Sequence, residues 1–172
     1  MSATPRQPLS RPIEVGRLPR GRAEVSVEAT EEECAVLARD FGIPAVRDLV
    51  GRYALTGTVS RLTVTGTLEA VVTQVCTVTL EPFETAVREP VEVVYSDAPP
   101  PEEPEEGPPE GAPEPPDPIV NGRIDLGALT AEFLALGLDP YPRKPGVDFE
   151  PVASGPESSP FDVLRRLREE GT

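Results

Sequence analysis

A run of 22 residues, 97–118, constrains the fold of this chain more than any other feature. It contains ten prolines, eight acidic residues and no basic residue. Proline removes a backbone hydrogen-bond donor and stiffens the chain, and like charges repel one another. The run therefore predicts an extended, disordered linker or loop that cannot contribute to a hydrophobic core. Residues 1–96 and 119–172 must supply the fold.

The acidity of the chain is concentrated in this run. The net charge is −14, but residues 1–96 carry 10 basic and 13 acidic residues, and residues 119–172 carry 6 and 9. The two flanking parts are therefore nearly balanced. Nucleic-acid affinity comes largely from lysine and arginine on phosphates, so the composition argues against indiscriminate binding of nucleic acid and leaves room for local basic contacts.

The chain shows no targeting or membrane segment. No apolar run approaches the ~18 residues of a membrane span, and the residues after Met1 lack the hydrophobic stretch of a secretory signal. We expect a soluble, cytoplasmic protein that does not bind membranes. Cys34 and Cys76 could pair, but a reducing cytosol favours free thiols. The oligomeric state is left open.

The residue types needed for common catalytic sites are missing. The chain has no histidine, which excludes Ser–His and Cys–His catalysis and leaves two cysteines as the soft metal ligands. Phosphate-binding glycine loops and nucleophile elbows are also absent from the sequence. Asp125, Glu132 and Asp139 have ordinary explanations as helix cap, helix charge and turn residue. We predict no catalytic residue, no cofactor and no metal.

A helix is predicted between Thr30 and Gly42. Thr30 and Glu33 have the spacing of a capping box, and an apolar stripe runs from Cys34 to Phe41. Gly42 is a typical residue for the end of a helix. Cys34 lies on the stripe, so we expect a buried thiol rather than a reactive one.

The pattern then changes to alternation, which predicts strands. Short connections without a helical crossover favour about four antiparallel strands with one face in water, preceded by an edge strand within residues 1–29. The apolar faces are formed by Leu49, Gly51, Tyr53 and Leu55, then by Leu62, Val64, Leu68, Ala70 and Val72, and then by Thr85, Val87, Val91, Val93 and Tyr95.

Two further helices are predicted after the acidic run. Asn121-Gly122 indicates a turn, and Asp125 is a good N-cap for a helix over residues 125–138. A proline-rich turn over 138–147 follows. Ser159-Pro160 then starts a short terminal helix, which must dock because short helices are marginal alone in water. We favour docking on its own chain over docking on a partner. The apolar stripes are Leu126, Leu129, Phe133 and Leu136 in the first helix and Phe161, Leu164 and Leu167 in the second.

These elements predict an α+β fold. We expect an antiparallel sheet or partial barrel with two or three helices, interrupted by a long acidic, proline-rich disordered loop. Residues 1–96 supply a strand, a helix and the sheet, and residues 97–118 form the linker. Residues 119–172 complete the same domain, because they have too few strand positions for a core of their own.

Four motifs occur in a characteristic order. They are Cys76-Thr-Val-Thr-Leu80-Glu-Pro82-Phe83, Ile124-Asp125-Leu126 with Glu132, a turn with Pro140, Pro142, Arg143 and Lys144, and a closing Pro160-Phe161 with Leu164. This ordered set resembles the YceD family, the large ribosomal RNA subunit accumulation proteins of bacteria and plastids. The resemblance covers roughly residues 50–172. The form Asp-Pro-Tyr-Pro-Arg-Lys-Pro-Gly is similar to an alphaproteobacterial branch.

The resemblance identifies candidate interaction residues. Thr79 stands where many members have a second cysteine, so no zinc or redox role is carried over, and one thiolate without histidine cannot hold a tetrahedral zinc. The candidates are Cys76, Leu80, Pro82, Phe83, Asp125, Leu126, Glu132, Pro140, Pro142, Arg143, Phe161, Leu164 and Leu167.

The resemblance also implies a function: a non-enzymatic factor that promotes synthesis, processing or accumulation of large-subunit (23S) ribosomal RNA during ribosome biogenesis. In one mode it contacts ribosomal RNA or a pre-ribosomal particle through local basic sites. In the other it is an adaptor or assembly chaperone that captures a basic ribosomal protein or another maturation factor, with the acidic linker attracting cationic tails. The linker could equally be only a tether. The basic sites are the N-terminal Arg6, Arg11, Arg17, Arg20 and Arg22, then Arg143 and Lys144, then Arg165, Arg166 and Arg168.

Overall fold

The computed structural model describes residues 8–19, 21–58, 60–98 and 115–147. Two α-helices and seven β-strands form in this part of the chain. In chain order the elements are β1 Pro12–Glu14, a 3₁₀ turn Val15–Arg17, β2 Arg22–Glu28, α1 Glu31–Asp40, β3 Ala45–Gly57, β4 Leu62–Val75, β5 Pro82–Ser96, β6 Asp117–Pro118, β7 Arg123–Asp125 and α2 Leu126–Leu136.

The main sheet has five strands in the order β2-β3-β4-β5-β6, and β1 pairs with β7 in a separate two-stranded sheet. Neighbouring strands are antiparallel, except that the short β6 pairs with β5 in parallel. The described strands do not close into a barrel. The predicted α+β fold is therefore confirmed. Of the two predicted arrangements, an antiparallel sheet or a partial barrel, the described strands form the open sheet, with two helices.

The predicted inner faces of the long strands are also confirmed. Leu49, Tyr53 and Leu55 of β3 are buried, as are the even-numbered apolar residues of β4 and Val87, Val91 and Tyr95 of β5. Because side chains alternate across a strand, the odd residues of β4 and the even residues of β5 form the other face, which carries threonines and ion pairs.

Helix α1 forms where the capping box predicts it. The hydroxyl of Thr30 accepts from the backbone N–H of Glu33, and the Glu33 carboxylate accepts from the backbone N–H of Thr30. Gly42 follows the helix with a φ of +66°, in the left-handed region that favours glycine. Cys34 is buried on the helix face that packs into the core, as predicted.

The apolar stripe predicted for α2 was partly wrong. Leu126 and Leu129 are buried, but Leu136 is 73% exposed and Phe133 is only half-buried. The buried face instead continues through Thr130 and Leu134. The buried face includes Thr130 because its hydroxyl hydrogen-bonds to the Tyr53 hydroxyl of β3, 2.6 Å away. This hydrogen bond favours the orientation of α2 in which Thr130 faces the sheet.

The predicted linker is shorter at its C-terminal end than expected. Asp117 and Pro118 form β6, which pairs with Tyr95 and Ser96 at the end of β5. Proline fits this position because β6 is an edge strand. Residues 99–114, the bulk of the predicted disordered loop, lie outside the described residues.

The N-terminal residues join both helix starts. The Arg11 guanidinium binds the Glu33 carboxylate with two hydrogen bonds of 2.8 and 2.9 Å, and the Arg11 backbone N–H donates to Asp125 at 2.7 Å. The Leu126 N–H donates to the Arg11 carbonyl. The Arg11 guanidinium, together with the N–H of Thr30, lowers the pKa of Glu33 to about 2. Residues far apart in sequence thus fix α1 and α2 relative to each other.

Candidate functional site: a hairpin held against the proline-rich turn

The first part of the site is the connection between β4 and β5. The Cys76 N–H donates to the Glu81 carbonyl at 2.9 Å, and the Leu80 N–H donates to the Cys76 carbonyl at 2.9 Å. Leu80 has a φ of +59°, an uncommon conformation for a residue with a bulky side chain. The turn therefore holds Leu80 in a conformation that its side chain disfavours, with that side chain in solvent.

The second part is the proline-rich segment after α2, which packs on this hairpin. The Thr77 N–H donates to the Pro142 carbonyl at 2.9 Å, and the Gln74 side-chain amide donates to the Asp139 carbonyl at 3.0 Å. Lys144 Nζ also lies 2.9 Å from the Glu81 carboxylate. We call residues 74–82 and 139–144 the hairpin–turn site. It joins two of the motifs that the sequence analysis identified.

Cys76 lies inside this contact and is fully buried. The Lys144 N–H donates to its Sγ at 3.4 Å, and this is the main reason that the pKa of the thiol is lowered to about 6. The hydroxyl and backbone N–H of Thr79 lower the pKa further. Donors from both parts of the site thus favour the thiolate form of this sulfur.

Thr79 contributes to the polar surroundings of Cys76. Its hydroxyl is one of the groups that lower the pKa of the Cys76 thiol, so this turn gives the sulfur a polar neighbour other than a thiol. Both cysteines are free, and burial raises the pKa of Cys34. Within the described ranges, no group of three histidine, cysteine or acidic side chains is placed to hold a metal ion.

The outer surface of the hairpin–turn site is partly apolar and partly basic. Leu80 is 77% exposed and Tyr141 is 74% exposed. Arg143 is exposed and, among the residues that the structure describes, has no ion-pair partner. Pro82 and Pro140 are exposed as well, whereas Phe83 and Pro142 are half-buried. The surface therefore offers an aromatic ring, an aliphatic side chain and a guanidinium to a partner.

The helix motif lies elsewhere and is divided between structural and exposed residues. Asp125 accepts from the N–H groups of Gly127 and Ala128, and also from Ser10 and Arg11. Burial opposes its ionisation, but these hydrogen bonds together lower the pKa of Asp125. Leu126 is fully buried, while Glu132 is exposed. Of these three, Glu132 alone is available to a partner.

Three of the five N-terminal arginines are paired with glutamates. Arg11 binds Glu33, Arg17 lies 2.7 Å from Glu14, and Arg22 lies 3.2 Å from Glu24. The remaining two, Arg6 and Arg20, lie outside the described residues, as do the terminal candidates Phe161, Leu164, Arg165, Arg166, Leu167 and Arg168.

Sequence reasoning missed two residues that assemble the site, Gln74 and Thr77. Gln74 carried a signal, because it continues the buried even-numbered face of β4 and a buried polar side chain requires a hydrogen-bond partner. Thr77 gave no such signal, because its hydrogen-bond acceptor, the Pro142 carbonyl, lies 65 residues away in sequence and is brought close only by the fold.

No helix in the described part of the chain has the length and apolar character needed to cross a membrane.

Comparison with known proteins gives one match. The family model described as "Large ribosomal RNA subunit accumulation protein YceD" matches residues 64–167, more than half of the chain. The matched range contains both parts of the hairpin–turn site and all of α2. Searches of curated proteins and of solved structures found no match.

Proposed function

The chain belongs to the YceD family, and from that premise we propose that it promotes the synthesis, processing or accumulation of large-subunit (23S) ribosomal RNA during ribosome biogenesis. The family description itself implies a role in accumulation of large-subunit ribosomal RNA. We propose that the protein acts in the cytoplasm and without catalysing a reaction, because its motif residues serve as caps, turn donors and exposed contacts.

The observation that carries this proposal is the joining of two family motifs at the hairpin–turn site. Thr77 and Pro142 are 65 residues apart in sequence and share two contacts, from the N–H and the hydroxyl of Thr77 to the Pro142 carbonyl. Several hydrogen bonds hold the backbone beneath Tyr141 and Arg143, so these side chains lie on a rigid support. Rigid support is a property of recognition surfaces, because little entropy is lost on binding.

We propose that this surface touches ribosomal RNA. Arg143 can bind phosphate, and an exposed tyrosine can stack on an unpaired base. Lys144 would contribute less, because it is paired with Glu81. Arg165, Arg166 and Arg168 remain predicted contacts. The residues 99–114 carry much of the negative charge and would weaken nonspecific binding to other nucleic acids.

The proposal is tested by complementation in cells that lack the protein. We expect Arg143→Glu to leave the ratio of 23S to 16S ribosomal RNA as low as in the deletion strain, because charge reversal repels phosphate. Arg61→Glu is the matched control: Arg61 is also exposed, but it lies in the β3–β4 turn, at the opposite end of β4. Restoration of the ratio by both variants would contradict a role for this surface.

A second candidate function is an adaptor or assembly chaperone for a basic ribosomal protein or another maturation factor. The eight acidic residues of the run 97–118 favour it, since a negative, extended segment accelerates association with cationic tails. Replacing residues 99–114 with a Gly/Ser stretch of equal length tests this mode. Loss of rescue would support capture by charge, and full rescue would leave the segment as a tether.

Crosslinking and pull-down from growing cells, with and without nuclease, separates the two candidates. Direct RNA contact predicts that ribosomal RNA is crosslinked to the protein itself and that associated ribosomal proteins are lost after nuclease. Capture of a basic protein predicts an association that survives nuclease and weakens with salt.

A further inference from the structure

An open groove lies between α1 and α2. It is lined by Ala128, Ala131 and Ala135, which share one face of α2, and by Leu37 of α1 and Phe41, the residue after α1. Pro8 and Leu9 also line it, and its volume is about 320 Å³. The small alanine side chains keep this face of α2 thin, so another helix could approach it closely.

The groove is apolar but incompletely covered by the described residues. Ala135 is exposed, while Ala131 and Phe41 are only half-buried. Leu136, at the adjoining end of α2, has 73% of its surface exposed. A further apolar element laid here would remove this surface from water.

The rim of the groove is acidic on both sides. Asp40 stands at the end of α1 and Glu132 in the middle of α2, and both are exposed. Neither forms an ion pair within the described ranges. The element that fits this groove is therefore an amphipathic helix with apolar residues on one side and basic residues at its edge.

We propose that residues 159–168 of the same chain dock in this groove as a helix. At helical spacing, Phe161, Leu164 and Leu167 form one apolar face. Arg168, four residues after Leu164 and seven after Phe161, continues that face at its C-terminal end, where its long side chain can extend toward an acidic rim. Arg165 lies beside the face, also within reach of the rim. Arg166 falls on the opposite side and would remain in water, which leaves it as the terminal arginine best placed to meet RNA.

The length of the chain permits this docking. The described residues end at Val147, and 11 residues separate it from Ser159. An extended stretch of that length spans up to ~36 Å, about the diameter of a small domain. A tethered segment also binds at a high effective concentration, which compensates for a small contact area. The family match extends to residue 167, so it includes almost the whole segment.

Methyl NMR on the full-length protein tests the docking directly. With alanine and leucine methyl groups labelled, we expect nuclear Overhauser contacts between Leu164 and Ala131 or Ala135. When the labelled chains are mixed with an equal amount of unlabelled chains, contacts within one chain keep their intensity per labelled chain, whereas contacts between two chains fall by about half. Contacts only between chains would replace the proposal with docking on a second copy. The absence of any contact would overturn it in favour of a different partner.

Charge reversal provides the matched test of the edge contacts. The Arg165→Glu/Arg168→Glu double variant should shift the Ala131 and Ala135 methyl signals to the positions seen in Leu164→Ala. Arg166→Glu should leave them unchanged. The methyl signal of Ala54, on β3, reports whether the rest of the fold is intact. Equal effects of Arg166→Glu and the double variant would contradict the proposed helix orientation.

Discussion

Gly127 shows how closely the N-terminal chain approaches α2. A Cβ atom at this position would lie 2.7 Å from the Arg11 backbone nitrogen and 2.8 Å from two backbone atoms of Ser10. Backbone atoms cannot rotate away as a side chain can. The close approach is what allows Ser10 and Arg11 to reach Asp125.

We predict that Gly127→Ala destabilises the protein. Alanine improves helix propensity by ~1 kcal/mol, but overpacking against backbone costs about 1–3 kcal/mol. The net effect should lower the urea midpoint at unchanged slope. Gly16→Ala is the control, since a Cβ atom at Gly16 would have no neighbour within 4 Å among the described residues. Equal midpoints for the two variants would show that residues 10–11 do not constrain Gly127.

The Cys76 thiolate makes stability depend on pH in a defined window. Its pKa is about 6 in the folded protein, against an ordinary value of 9.0. Between these values the unfolded chain binds more protons than the folded one, so stability rises with pH. The contribution is complete above about pH 9 and is lost as the pH falls through 6. Because the chain has no histidine, the side chain that ordinarily titrates near neutral pH does not contribute between pH 6 and 9.

We therefore predict that Cys76→Ser removes part of the rise in unfolding free energy between pH 6 and 9. Serine keeps an acceptor for the Lys144 N–H but does not ionise. Cys34→Ala should retain the rise, because Cys34 has a raised pKa and stays neutral in the folded state. Urea unfolding under reducing conditions at several pH values measures the difference. Parallel curves for wild type and Cys76→Ser would contradict thiolate formation.

At the scale of elements, a buried hydrogen-bond chain ties α2 to the sheet. The Thr130 hydroxyl donates to the Leu126 carbonyl at 2.7 Å, so its oxygen must accept from the Tyr53 hydroxyl at 2.6 Å. Tyr53 is 3% exposed, and burial raises its pKa. The Thr130 hydroxyl therefore has a second partner, the Leu126 carbonyl, whereas the Tyr53 hydroxyl donates its proton to Thr130.

We predict that Thr130→Val is more damaging than Tyr53→Phe. The phenylalanine variant loses one hydrogen bond, worth ~1 kcal/mol, and leaves Thr130 bonded to Leu126. The valine variant leaves the buried Tyr53 donor without a partner, which costs a further ~1–3 kcal/mol. Thr130→Ser keeps the hydroxyl and should lie nearer to wild type. Thermal or urea unfolding ranks the three, and the reverse order would refute the assigned donor direction.

The elements themselves were largely predictable because their signals are local. The capping box at Thr30 and Glu33 and the alternation in β4 depend on neighbours a few residues away, and both occur as expected. The buried face of α2 was not predictable from apolar spacing, because Thr130 is turned inward by Tyr53, 77 residues earlier. Likewise, the motif order identified Cys76, but only the fold shows that the Lys144 N–H lowers its pKa.

At the scale of the whole molecule, the two sides of the acidic run share one set of contacts. β1 pairs with β7, β5 pairs with β6, and α2 contacts β4 and β5. Leu126, Leu129 and Leu134 are buried in the same core as the long strands. These contacts support our proposal that residues 119–172 complete the domain begun by residues 1–96.

We predict that residues 1–98 expressed alone bind a hydrophobic dye and unfold with low cooperativity, because the sheet face beneath α2 is uncovered. Coexpression with residues 115–172 should restore a dye-silent, cooperative protein. Dye fluorescence and urea unfolding measure both properties. A dye-silent, cooperatively unfolding fragment of residues 1–98 would instead establish an independent N-terminal domain.

The pairing of β1 with β7 also determines when the chain can finish folding. Ser10 and its hydrogen-bond acceptor Asp125 are 115 residues apart, and the partners of β1 lie beyond the acidic run. At synthesis rates of about 5–20 residues per second, β1 waits on the order of 10 s for its partner strand. Contacts between such distant residues also slow the folding search itself. During synthesis, β1 therefore emerges from the ribosome well before its partner strand. The order of synthesis delays closure of the fold until β7, and α2 directly after it, have emerged as well.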